Sequence, residues 1–405
     1  MPYDLLDGVK VIELSMYAFA PASAAVLSDW GADVVKVVPP NTADPMMSGR
    51  VVGGLPDIDT GVMFMWENLN RGKRCVCIDV STPEGRDLLH RMARRADVFI
   101  TNLLPGARER FGVDPDTMAA INPRLIYGRA TGHGERGPER ERGGFDHTDF
   151  WARSGIAHTI ANTMGEFVAQ PGPAMGDVTA GAHLAGAIAA ALYRRERTGK
   201  GAIIDVSLLS TGVWMNGPAL QVSHLYGIPT IPRYRREDQP NPLVTAYATR
   251  DGRHIYIAGV QTEKKWEEFC AVLEADHLVG DPLLATGELR LANARYCSGK
   301  LDEAFARHDL DYWLERFQAC PVPWAVVQSS AETYADRQVE ANGMVTTIEG
   351  DTRSYPVAAS PAQVDDKPLS QTRAPQHGEH TEVVLMEYGV EWDEIEALKK
   401  AGAVN

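Results

Sequence analysis

Residues 172–186, GPAMGDVTAGAHLAG, set one carboxylate, Asp177, after a glycine and ahead of a small-residue stretch whose next charge is Arg194. From Thr179 to Arg197 the pattern predicts a helix: Leu184, Ile188 and Leu192 fall four apart, and Gly181, Gly186 and several alanines permit close backbone approach. Basic residues in the last turn and Gly199 at the left-handed position just beyond it end that helix well. Asp177 therefore stands at or just before the N-terminus, where exposed N–H groups and the positive end of the helix dipole stabilise an ionised carboxylate. Two roles fit. It caps the helix, worth about 1 kcal/mol, or it is a reactive carboxylate, with Gly176 letting a ligand approach and the same setting favouring an acyl oxyanion. Residue types leave both open.

The elements that must position this carboxylate alternate in the first third of the chain. VKVIEL (9–14) reads as a strand, APASAAVLSDWG (20–31) as a helix ended by glycine, and DVVKVV (33–38) as a second strand; RCVCIDV, a helix from Glu84 to Arg95, DVFIT and RLIYGRA continue the alternation. This is the signature of an α/β, Rossmann-like doubly wound sheet. Between first strand and first helix the chain reads SMYAFAPAS, without the glycine pattern that admits a pyrophosphate, which argues against NAD or FAD. Four prolines and a charge cluster in 225–242 read as a linker. Beyond it, TAYATRDGRHIYIAGV predicts two strands around an Asp-Gly turn, and TEKKWEEFCAVLEA a helix burying Trp266, Phe269, Cys270 and Leu273. The expected organisation is a large domain, 1–205 and 335–405, linkers 206–224 and 326–334, and a small α+β domain, 225–325.

Composition excludes several classes. The chain has 405 residues, 44% of them hydrophobic, and a formal charge of −14 with a pI near 5.3, which argues against a general nucleic-acid binder. No basic, apolar leader opens it, and no run reaches the eighteen or so apolar residues that span a bilayer, so we expect a cytoplasmic protein without a membrane segment. Cys75 and Cys77 read as buried thiols, and HGEH at 377–380 lacks the four-residue spacing of a helical metal pair; no metal site is expected.

The ordered motifs LDGVKVIEL, LSDWGADVVKV, NLNRGKRCVCIDVSTPEG, ADVFITNLLPGARERFGV, INPRLIYGRATGHGERGP, GGFDHTDFWARSG, GDVTAG, YRRERTGKGAIIDVSLL and GEHTEVVLMEYGV together resemble the class III CoA-transferases. That family includes formyl-CoA, carnitine and 2-hydroxyacyl-CoA transferases and the α-methylacyl-CoA racemases. The resemblance implies that Asp177 is a nucleophile passing through mixed-anhydride and aspartyl-CoA intermediates. It implies CoA as co-substrate with no tightly bound cofactor, a small carboxylic acid as acceptor, and an interlocked homodimer with active sites at the interface. It further implies that Asn102 and Arg110 contact the nucleotide and that Lys73 and Arg74 lie near its phosphates, roles suited to Arg forks and Lys charges.

The racemase branch pairs its aspartate with the histidine of a G-H-D motif. Here the motif is Gly144-Phe145-Asp146, and phenylalanine cannot carry a proton. His147, two positions on, points to the same side as Phe145 in extended backbone. Other departures are Ala18, where the formyl-CoA branch has a glutamine, Val38, where an acid is usual, and AGVQTEKKW in place of a glycine-rich loop. Glu135 aligns near an acid of the active-site loop. GGFDHTDFWARSGIAHTI most resembles the 2-hydroxyacyl-CoA transferases, which implies an apolar acyl pocket lined by Phe145, Phe150 and Trp151, with His133 or His147 bonding a substrate carboxylate or hydroxyl. An isomerase and a non-catalytic CoA-thioester binding protein are the alternatives.

Overall fold

Apolar strands separated by helices build a six-stranded, wholly parallel sheet in the computed structural model, which describes residues 2–47, 55–56, 58–165, 169–259 and 262–405. Its strands are β1 (Lys10–Leu14), β2 (Asp33–Val38), β3 (Arg74–Cys77), β4 (Val98–Thr101), β5 (Ile126–Thr131) and β6 (Ala202–Ser207). Their order, β3-β2-β1-β4-β5-β6, reverses between β1 and β4. A crevice opens at such a switch point beyond the carboxyl ends of the strands. Register there pairs Leu14 with both Val37 and Thr101, and Thr101 with Arg129.

The helices of this part are α1 (Phe19–Asp29), α2 (Phe64–Asn70), α3 (Pro83–Ala93), α4 (Pro105–Arg110), α5 (Pro115–Ile121), α6 (Ile156–Met164), α7 (Met175–Thr198), α8 (Leu208–Met215) and α9 (Gly217–Tyr226). One sheet face buries Ile12, Val35, Val76 and Phe99 against Leu88, Leu89 and Met92 of α3 and against Leu385, Ile395 and Leu398 of two C-terminal helices. Helices α1 and α7 cover the other face. They pack closely at Gly181, where a Cβ would stand 2.7 Å from the Ala22 Cβ; a Cβ at Gly186 would meet open space, so only the first of the two expected glycines serves that contact. Leu184, Ile188 and Leu192 are buried as their spacing predicts, and Gly199 ends α7 at φ 70°.

Two sequence expectations are corrected here. Helix α7 is long and apolar enough, by length and composition, to cross a membrane, which the run-length reading excludes. Its apolar stripe is instead used on the sheet: the side chains of Leu184 and Ile188 lie over Gly128 of β5. The segment 206–224, expected as a linker, is mostly the helices α8 and α9, because Ser207 caps α8 reciprocally with Ser210 and Pro218 starts α9. Likewise 326–334 holds a short helix, Ser330–Tyr334, capped by Ser329.

The chain divides into two compact units, one of residues 1–158, 168–230 and 337–405, the other of 159–167 and 231–336. The smaller unit has an antiparallel sheet of β7 (Val244–Ala248), β8 (His254–Ala258) and β9 (Trp324–Val326). β7 and β8 turn at Asp251–Gly252, where Gly252 has φ 76°. Trp266, Phe269, Cys270 and Leu273 join its core, as the helical spacing predicts.

Candidate active site

A cavity of about 340 Å³ lies at the sheet's switch point. Met16 and Tyr17 follow β1, Asn102 to Leu104 follow β4, Thr131 and Gly132 end β5, and Phe145 and Asp177 complete the wall. The turn after β1 is pinned by side chains from two sides. Asn102 donates from Nδ2 to the Met16 carbonyl at 2.6 Å and accepts the Met16 N–H on Oδ1 at 3.2 Å. Asp44 accepts the Tyr17 N–H at 3.3 Å, and Tyr17 sits at φ 67°, a left-handed conformation that a non-glycine residue adopts only when its surroundings impose it.

Asp177 is the third residue of α7, not its cap. Ala174 holds the N-cap position at φ 59°, without a side-chain bond, and the capping is done from outside by Asp146. The Asp146 carboxylate accepts the Gly176 N–H at 3.0 Å and a Gln170 amide proton at 2.6 Å. The helix terminus is thus already served by another carboxylate, and Asp177 is left facing the cavity. The expectation that the helix end keeps Asp177 readily ionised is corrected accordingly: burial first, then the charge of Asp146, push its carboxyl up to about 7.

The ionised fraction of Asp177, and with it the rate of any reaction that needs this carboxylate, is expected to rise about tenfold per pH unit up to about 7 and then level off. Asp146→Asn removes the negative neighbour and shifts that limb to lower pH. A pH–rate profile of kcat/KM for both proteins checks this, and an unmoved limb would refute the assignment.

Gly176 is required for packing rather than for ligand approach. A Cβ there would stand 2.2 Å from Phe150 Cγ and 2.3 Å from Asp146 Oδ1. We expect Gly176→Ala to cost about 1–3 kcal/mol by overpacking and to lower kcat more than it raises KM, read by urea unfolding and steady-state kinetics.

Beneath the Tyr17 turn lies an ion cluster that sequence reasoning missed. Lys73 Nζ donates to Glu13 Oε2 at 2.7 Å, to the Pro21 carbonyl and to Asn70; Lys36 Nζ donates to Glu13 Oε1 at 2.8 Å and stands 3.3 Å from Asp44. All four charged side chains are buried. Burial alone would raise the Glu13 pKa, but Lys36 and Lys73 outweigh it and hold the carboxyl at about 2. Through Asp44 this cluster anchors the Tyr17 turn. Its signal was available: Glu13 and Lys36 are charges at interior positions of strands whose other interior positions are apolar.

The structure redistributes the other expected site residues. Lys73 has its ammonium committed to Glu13, and Arg74 pairs with Asp33 at 2.6 Å and Glu387 at 2.7 Å, so neither is free for a phosphate. Asn102 lines the cavity but commits its amide to Met16. Arg110 stays exposed, over the Phe111 ring, and makes no ion pair among the described residues.

Ala18 packs behind the wall with Met46 and Trp66 rather than lining it. Glu135 is neutralised by Arg108 at 2.7 Å and Arg129 at 3.2 Å. His133 stands 2.6 Å from Asp149, with Nε2 buried, and His147 is exposed; neither lines the cavity. Phe150 and Trp151 are buried beside α7 and α8, leaving Phe145 as the expected aromatic that reaches the cavity. Of AGVQTEKKW, Val260 and Gln261 lie outside the described residues.

A Rossmann-like sheet with a lone carboxylate at its switch-point crevice defines the class of site. The chain belongs to CoA-transferase family III, whose profile it matches over residues 6–381. It is 31% identical, over 99% of both chains, to (R)-2-hydroxy-4-methylpentanoate CoA-transferase from Clostridioides difficile. It is 28% identical to cinnamoyl-CoA:phenyllactate CoA-transferase from Clostridium sporogenes, covering 98% of this chain and 96% of that one. The crystal structure of a CAIB/BAIF family protein from Brucella suis superposes with TM-score 0.81 at 29% identity, covering 95% of this chain and 99% of the other. The protein is therefore an enzyme, a family III CoA-transferase, and CoA transfer between carboxylic acids is its reaction class.

Proposed function

We propose that the protein moves CoA from an acyl-CoA donor to a carboxylic acid, of 2-hydroxy or aromatic type, through an aspartyl-CoA thioester on Asp177. The observation that carries this reading is that Asp177 faces the crevice while Asp146 performs the capping that would otherwise occupy it. The Asp177 carboxylate attacks the donor thioester carbonyl, the C–S bond breaks, and CoA thiolate leaves a mixed anhydride. The thiolate then attacks the aspartyl carbonyl, releasing the donor acid and leaving the thioester. An acceptor carboxylate attacks that thioester, and the expelled thiolate takes the acceptor acyl group, which restores Asp177. No proton or water is consumed overall. Arg110 is the cation we assign to the nucleotide of CoA.

Two-base racemisation finds less support, because the cavity wall offers no histidine and no second carboxylate among the described residues. The interlocked dimer belongs to the same proposal. Trp214, Leu225 and Tyr226 on α8 and α9 are 76%, 74% and 74% exposed, apolar surface of the kind that a second subunit covers. Sedimentation analysis tests that point. A cytoplasmic setting is also proposed, supported by five unpaired cysteines.

The deciding experiment is intact-mass spectrometry after incubation with acyl-CoA donors and trapping with hydroxylamine or borohydride. Modification confined to the Asp177 peptide supports the transferase. Solvent deuterium entering the α-carbon of a 2-methylacyl-CoA, with no adduct, would replace it by the isomerase.

A further inference from the structure

We propose that Lys73 is a positioning residue of the CoA-transfer reaction: its buried ammonium holds the Met16–Tyr17 wall of the Asp177 crevice in working shape, and loss of its proton lowers activity on the alkaline side. This rests on the reading above that the crevice is the active site. One nitrogen joins three elements. Lys73 Nζ donates to Glu13 Oε2 on β1 at 2.7 Å, to the Pro21 carbonyl of α1 at 2.9 Å and to Asn70 Oδ1 of α2 at 2.9 Å. An ammonium has three protons, one for each acceptor; a neutral amine has two.

Charge balance acts with the bonds. Glu13 and Asp44 face Lys36 and Lys73, and the cluster is neutral only while both lysines are charged. Lys36 on β2 donates to Glu13 Oε1 at 2.8 Å and to the Ser15 carbonyl at 3.0 Å, and stands 3.3 Å from Asp44 Oδ2. With Lys73 neutral, Lys36 alone must answer both carboxylates. Its other two partners belong to the wall: Ser15 precedes Met16, and Asp44 Oδ1 accepts the N–H of Tyr17, which sits at φ 67°.

Burial, reinforced by Lys36, outweighs the pull of Glu13 and Asp44 and brings Lys73 down to about 8. The Cys75 thiol of β3 lies in the same field, and burial pushes it up to about 11, so it stays protonated where Lys73 titrates. All five side chains are already buried within the single chain.

The test is the pH profile of CoA exchange from pH 6 to pH 10 for the parent, Lys73→Met and Lys73→Arg. It is paired with hydrogen–deuterium exchange of the parent at pH 7 and pH 9.5, corrected for intrinsic rates, comparing residues 15–22 with the β2 segment 33–38. Beyond the plateau set by Asp177, we expect parent kcat/KM to fall about tenfold or more between pH 8 and pH 9.5. Lys73→Met should show no such fall and should run near the level the parent reaches at pH 9.5, since a displacement of about 1 Å costs on the order of 100-fold. Lys73→Arg, which keeps its charge, should hold its activity to pH 10. Residues 15–22 should lose protection at pH 9.5 while 33–38 keep theirs.

Stability carries the opposite sign. The folded value lies below the unfolded 10.5, so between about 8 and 10.5 the native state binds fewer protons and the Lys73 contribution to stability rises with pH. A merely structural lysine would therefore raise the urea midpoint of the parent relative to Lys73→Met across that window and leave kcat/KM unchanged. An alkaline fall that Lys73→Met retains, or unaltered protection of 15–22, overturns the proposal; should neither variant fold, the protection measurement decides it. If the fall follows Lys73 but Asp177→Ala protein still exchanges CoA, the nucleophile reading fails and the role of Lys73 stands.

Discussion

Asp177→Ala is expected to reduce CoA exchange by on the order of 10⁴-fold or more, because the proposed covalent route loses its attacking atom and the rest of the wall offers no other carboxylate among the described residues. The variant should still fold. Asp177 makes no capping bond, and its carboxyl is raised to about 7 by burial and by Asp146, so its ionised form burdens the native state. The sign follows from proton binding: between the unfolded pKa near 3.8 and the folded value near 7 the native protein holds more protons, so this group lowers stability as pH rises through that window. At pH 8 the alanine variant is therefore expected to be at least as stable as the parent. Exchange assays and urea unfolding on the same preparations decide the matter. Residual turnover within tenfold of the parent would remove Asp177 from the mechanism, and a collapse in stability would assign it a structural role.

The second large effect is on stability, at the ion cluster under the Tyr17 turn. Glu13→Gln leaves two buried ammonium groups, Lys36 and Lys73, facing Asp44 alone. Breaking a buried pair in this way costs about 3–5 kcal/mol, since the stranded charges keep their desolvation penalty. The double variant Glu13→Gln/Lys73→Met is expected to recover part of the loss, because it removes one of those charges. A single variant within about 1 kcal/mol of the parent would contradict this account.

The same carboxyl predicts acid sensitivity. Its folded pKa of about 2 lies below the unfolded 4.5, so its contribution, about 3 kcal/mol, is complete above pH 4.5 and is lost as the pH falls towards 2. Urea midpoints from pH 5 to pH 2 for parent and Glu13→Gln should converge as that contribution disappears.

Local pattern was enough for much of the architecture. Near-continuous apolar runs at 10–14, 33–38 and 98–101, buried on both faces of the parallel sheet, and period-3.6 faces at 184–192 and 266–273 follow from side chains that must leave water. The motif order carried the family. The 206–224 segment went wrong because its capping box and N-terminal proline are short signals beside a proline-rich stretch.

What sequence by itself determined, then, was the alternating α/β chain, its strand positions, the α7 stripe with its glycine stop, and which carboxylate to suspect. Tertiary structure alone decided the rest. Asp146 lies 31 residues from Asp177 in the chain, and Glu13 lies 60 from Lys73; neither pairing has a local period to announce it. Which basic residues are consumed by carboxylates, which aromatics face a cavity, and whether a helix end is capped from outside depend on distances set when separate elements meet. The strand switch point brings the ends of β1, β4 and β5 together around Asp177, and burial there raises its pKa in a way no linear reading of Gly-Asp encodes.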